Sequence, residues 1–128
     1  MAAADYLRAA SAQLRNGAGQ LQQEASSLNA DMERQKNQHN SDISHLESQI
    51  TNQKAVESTA SANNDNAQKQ AAQQAQKQIQ QQIQQHKQIM NDEQKNMTQM
   101  IQAKNDMATQ LNNQAGQLES LASNPAAN

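Results

Sequence analysis

From Ala72 to Leu121 the chain marks one side of a helix in alternating steps of four and three. The series runs Ala72, Ile79, Ile83, His86, Met90, Glu93, Met97, Met100, Lys104, Met107, Leu111, Gln114, Leu118 and Leu121. A seam that recurs every seven residues over this length predicts a coiled-coil helix, because only a 3.5-residue period keeps one side turned toward a partner. Four positions, His86, Glu93, Lys104 and Gln114, interrupt the apolar rule.

The N-terminal half carries a second series. Leu7, Leu14, Leu21 and Leu28 follow at sevens, with Ser11, Ala18, Ala25 and Met32 as companions, then Gln35, His39, Ile43, Leu46 and Ile50. The step from His39 to Ile43 repeats a four and reads as a stutter that locally unwinds a supercoil. Gly17 and Gly19 weaken this helix by about 2 kcal/mol together relative to alanine. The leucine phase passes through them unshifted, so a continuous helix is expected, with a break at 16–19 as the alternative. Beyond Val56, Ser58 to Asn66 is rich in Ser, Asn and Asp, side chains that compete for backbone hydrogen bonds and favour turns. Asp65 or Asn66 is placed to cap the next helix.

One domain spanning 1–128 follows: a helix over 3–58, a turn over 59–66, a second helix over 67–122 and a frayed tail over 123–128 containing Pro125. Folding back at the turn pairs residues whose numbers sum to 125. This register sets Leu7 against Leu118, Leu14 against Leu111, Leu28 against Met97 and Leu46 against Ile79. It also sets Gly17 against Ala108, Gly116 against Ala9, and His39 against His86. The expected fold is all-α, a long antiparallel two-helix coiled-coil hairpin with helices of about 4–58 and 66–122, each about 80 Å long at 1.5 Å per residue. Its expected interface and core residues are Leu7, Leu14, Leu21, Leu28, Met32, Ile43, Leu46, Ile50, Ile79, Ile83, Met90, Met97, Met100, Met107, Leu111, Leu118 and Leu121. So thin a seam balances the entropy of ordering poorly. Packing into a four-helix bundle or a higher assembly, with Ala103 and Ala115 on the flanks, is therefore part of the expectation.

Composition narrows the function classes. Only 34% of residues are hydrophobic, Tyr6 is the one aromatic, and there is no Cys. Gln and Asn account for 41 of the 128 residues, but one Pro, three Gly and a clear period argue against disorder. Ten basic and twelve acidic side chains give a net charge of −2 without blocks. With no basic track and no stacking platform, nucleic acid is not an expected partner. No run approaches the length of a membrane span. The N-terminus lacks the pattern of a cleaved signal peptide, which leaves a cytoplasmic location or export by another route.

Candidate chemistry is sparse. If His39 and His86 share a layer, they read first as polar residues that fix register. The alternatives are a pH-sensitive pair, since two imidazolium charges would repel, or two ligands of a bridging metal. Met90, Met97, Met100 and Met107 form a stripe that reads as core rather than as a soft-metal site. Glu93 and Lys104 face Met32 and Leu21 in the 125 register and are expected to turn outward. Asp42 and His45 share a helical face but lack the repeated Glu-x-x-His of a di-iron bundle. Phosphate-binding glycine loops, His-Glu-x-x-His and a nucleophile elbow are absent, so neither catalysis nor a cofactor is expected. The glutamines from Gln68 to Gln88 keep helical phase with Ile79 and Ile83, and read as a neutral face for lateral contacts.

The function expected is structural: a self-assembling hairpin forming an oligomer or filament, with itself as partner. The alternative is a binding module, an adaptor or a secretion-system-associated hairpin that presents a helix face to a protein partner such as another helical protein. In size and shape the hairpin looks like the small secreted helical-hairpin proteins of type VII secretion. Their Trp-x-Gly at the turn has no counterpart here, since there is no Trp and no Gly near residues 58–66.

Overall fold

The structure, a computed structural model, describes residues 2–127; Met1 and Asn128, the ends of the expected domain, lie outside the described residues. Helix α1 runs Ala3–Ala62 and helix α2 runs Asn66–Ala122, followed by a short 3-10 helix at Pro125–Ala127. The two long helices pack against each other as an all-α hairpin. Ala, Gln, Leu, Met and Lys supply the helix propensity. In the expected tail, the Asn124 side-chain carbonyl accepts a hydrogen bond from the Ala126 amide at 3.0 Å and starts the 3-10 turn.

The turn is shorter than the Ser/Asn-rich composition suggests. Helix α1 persists through Ser58, Thr59, Ala60 and Ser61, and only residues 63–65 lie outside the helices. The Asp65 amide reaches back to the Ala60 carbonyl at 2.9 Å and the Asn64 amide to Ser61 at 3.2 Å. Asn64 sits at φ 54°. These are the two bonds and the left-handed residue of a Schellman C-cap, with Asn in the place more often taken by Gly. Asp65 then caps α2, its Oδ1 accepting the Gln68 amide at 3.1 Å. One residue thus ends one helix and begins the next.

The hairpin divides into two packed units. The terminal unit joins the residues up to Asp31 with those from Asn96 on; the turn unit is Met32–Lys95. In the terminal unit the most buried positions are small: Ala4, Ser11, Ala18 and Ala25 on α1, and Ala108, Ala115 and Ala122 on α2, all within 4% exposure. Leu7, Leu14, Leu21, Leu28, Leu111 and Leu118 are half-buried beside them. Alanine at every seventh position lets two helices approach closely, and the leucines close over the sides of the contact.

Three of the expected interface and core residues stand outside the seam between α1 and α2. Met100, Met107 and Leu121 are 50%, 52% and 52% exposed. The more buried series on α2 runs one residue later, through half-buried Ile101 and buried Ala108, Ala115 and Ala122. Ala115, expected on a flank, is fully buried. A large side chain is the stronger hydrophobic signal in a sequence, but a close contact between two helices selects the small neighbour. Helix α1 is continuous through Gly17 and Gly19. The nearest atom to a Cβ at Gly17 would be Leu111 Cδ1 at 3.3 Å, rather than Ala108, and Gly116 has open space where Ala9 was expected.

In the turn unit Ile43 and Ile83 are 7% exposed, and Ala60 and Ala72 are buried near the turn. Met32, Leu46, Ile50, Ile79 and Met90 are half-buried. The stutter inferred at His39 is not required. Ala4, Ser11, Ala18, Ala25, Met32, His39, Leu46, Gln53 and Ala60 form an unbroken series at sevens, every member buried or half-buried. What changes is the companion: three residues on in the terminal unit (Leu7, Leu14, Leu21), four residues on in the turn unit (Ile43, Ile50, Glu57).

Candidate functional site

Two histidines and two carboxylates come together in the seam of the turn unit. His39 and Asp42 are three residues apart on α1, so both lie on the same side of the helix, and His86 and Glu93 are seven apart on α2. All four are half-buried. His39 Nδ1 lies 3.3 Å from His86 Nδ1, with the rings edge to face at 61° and centroids 5.6 Å apart. On the other side of the ring, His39 Nε2 lies 3.0 Å from Glu93 Oε2. The Gln38 amide donates to Asp42 Oδ1 at 3.1 Å.

The meeting of His39 and His86 follows from the heptad. Glu93 does not turn outward onto Met32, as the 125 register implies; it joins the histidine layer. A carboxylate accepts and does not donate, so it holds the proton of His39 on Nε2 and leaves the Nδ1 lone pair facing His86. A hydrogen bond closes here in the His86 tautomer that carries Nδ1–H, whereas the Nε2–H tautomer sets two lone pairs 3.3 Å apart. Protonating both rings would instead set two N–H donors head to head. Asp42 sorts with His39 and His86, whereas His45 is exposed and contacts Gln49 at 3.2 Å. One donor atom each from His39, Asp42 and His86 lie within 4.8 Å of one another, the only group of three or more metal-ligating side chains this close among the described residues.

The terminal unit carries a different polar feature. Arg15 grips Glu119 with two bonds, Nε to Oε1 at 2.6 Å and Nη2 to Oε2 at 2.8 Å, and the Ser11 hydroxyl adds a third at 2.6 Å. This satisfies the buried hydroxyl of Ser11 within the alanine seam. Donation by Arg15, then by Ser11, pulls the Glu119 carboxyl down to about 2, and Glu119 in turn raises Arg15. Lys104, expected to point away beside Leu21, reaches Glu24 at 2.8 Å. In the turn unit Glu57 accepts from the Gln73 and Gln76 amides at 3.0 and 2.8 Å, which lowers its carboxyl below the usual range.

Open grooves run along the helices among the described residues. One, lined by Gln20, Gln23, Glu24, Leu28, Met100 and Lys104 among others, runs beside the exposed Met100. No helix among the described residues is long and apolar enough to cross a membrane. No protein-family model matches the chain, and neither curated proteins nor solved structures yield a match.

Proposed function

We propose that the protein is a non-enzymatic structural subunit that assembles with copies of itself through the outer face of α2. The observation that carries this reading is a strip of exposed residues on the terminal unit: Asn96, Met100, Ala103, Met107, Gln110, Gln114, Gln117 and Leu121. It holds three of the five large hydrophobics that stand exposed among the described residues. The strip repeats in steps of three and four, so a second helix of the same pitch can lie along it. It contains no charged residue, and a face that meets its own copy across a two-fold axis avoids repulsion between like charges. The inner seam adds weight. Its most buried members are mostly alanines, and no large side chain among the described residues is fully buried. A second hairpin laid on Met100, Met107 and Leu121 supplies the apolar burial that the single seam lacks.

Size-exclusion chromatography with light scattering over a concentration series tests this reading. A mass of two chains or more is expected for the wild type, and monomer with unchanged helicity for Met100→Lys/Met107→Lys. A monomer at every concentration overturns self-assembly and favours a module that presents this face to a different protein.

A further inference from the structure

We propose that His39, Asp42 and His86 form a zinc site that clamps α1 to α2 in the turn unit. Zinc holds imidazole nitrogens at about 2.0–2.1 Å with tetrahedral angles, so two nitrogens on one ion stand about 3.3–3.4 Å apart. The Nδ1 atoms of His39 and His86 are 3.3 Å apart. Asp42 brings a carboxylate from the same helical side as His39, its donor atom within 4.8 Å of the histidine donors, and rotation about its side-chain bonds closes the remaining distance. Two ligands from one helix and one from the other make a site that exists only when the hairpin is closed.

The surroundings are those of a ligand set. Glu93 accepts from His39 Nε2 at 3.0 Å, which fixes the tautomer with Nδ1 free to bind and makes that nitrogen a stronger donor. Gln38 holds one oxygen of Asp42 at 3.1 Å and leaves the other available. The three ligands are half-buried, with the His39 side chain 17% exposed, so an ion has an entry path and solvent supplies the fourth ligand. Two imidazoles and a carboxylate suit zinc better than magnesium or calcium, which take oxygen donors. To bind zinc, His86 gives up its Nδ1 proton to solvent and carries one on Nε2 instead, so both Nδ1 lone pairs are free for the ion.

Calorimetric titration of the untagged, metal-free full chain with zinc at neutral pH tests the site. The expected result is one saturable ion per chain, a melting midpoint that rises with zinc and returns with chelator, and tetrahedral visible absorption with cobalt in its place. His86→Gln is expected to abolish binding while far-ultraviolet dichroism stays helical, and Asp42→Asn to weaken it. Glu93→Gln should weaken it about 10- to 100-fold through His39. His45→Gln should leave it unchanged. Absence of saturable binding, one ion shared by two chains, or binding that survives His86→Gln each overturns the proposal.

Discussion

The terminal unit buries alanine most deeply, at Ala18, Ala25, Ala108 and Ala115, and leaves its leucines half-exposed at the edges of the seam. The turn unit puts Ile43 and Ile83 in its centre and admits a layer of two histidines and two carboxylates. Both draw on the same seven-residue series, Ala4 through Ala60 on α1 and Lys69 through Leu118 on α2. The difference lies in the companion positions, which on α2 pass from Ala72, Ile79, His86 and Glu93 to Gln94, Ile101, Ala108, Ala115 and Ala122. A heptad therefore specifies that helices pair without specifying how closely. Side-chain size at one position in seven settles that.

The two packing modes fail in opposite directions. Ile83→Ala removes a buried branched side chain from the turn unit and is expected to cost about 2–5 kcal/mol, read from the urea midpoint. In the terminal unit the damaging change is enlargement. Ala18→Leu should cost about 1–3 kcal/mol, because the helices must separate to admit it. If Ala18→Leu proves neutral, the alanine seam is not a close contact and the distinction between the units falls.

The cap at the turn contributes less. Asp65→Ala removes the acceptor for the Gln68 amide and should cost about 1 kcal/mol by thermal melting. Smaller still is the contrast between two glycines on α1. Gly19→Ala meets nothing within 4 Å and should gain about 0.8–1 kcal/mol of helix propensity. Gly17→Ala places its methyl 3.3 Å from Leu111 Cδ1, and the strain of that contact should offset most of the same gain. Equal gains at both sites would show that the seam at Leu111 is loose.

The least effect belongs to Glu119, whose side chain is 44% exposed. Its carboxyl is lowered in the folded state, so its contribution is present above the ordinary carboxylate range and is lost as pH falls toward about 2. Glu119→Gln should flatten the acid limb of the melting curve over that interval. An unchanged limb would show that the Arg15 grip contributes nothing in solution.

The all-α class, the antiparallel hairpin, the position of the turn and the meeting of His39 with His86 were all legible in the residues. Heptad phase and turn chemistry are local properties, and a hairpin leaves few ways to combine them. Helix α1 was readable as continuous through Gly17 and Gly19 for the same reason: an unshifted period outweighs a weak local propensity. The seam on α2 was misread where Met100, Met107 and Leu121 compete with Ile101, Ala108, Ala115 and Ala122, two series at sevens displaced by one residue. Hydrophobicity ranks the first series higher. Burial chooses the second, and burial depends on what the opposite helix presents.

The polar partners were hidden for a related reason. His39 with Asp42 is visible as a three-residue spacing, but Glu93 on His39, Arg15 on Glu119 and Lys104 on Glu24 join residues 54, 104 and 80 apart. A one-residue change of register redirects every such side chain. By itself, the sequence determined that two helices form, where they reverse and which sides they turn to one another, because period and capping act within a few residues. Only the tertiary structure decided how near the helices come, which large side chains are left outside, and which charges meet, because each depends on what the opposite helix presents.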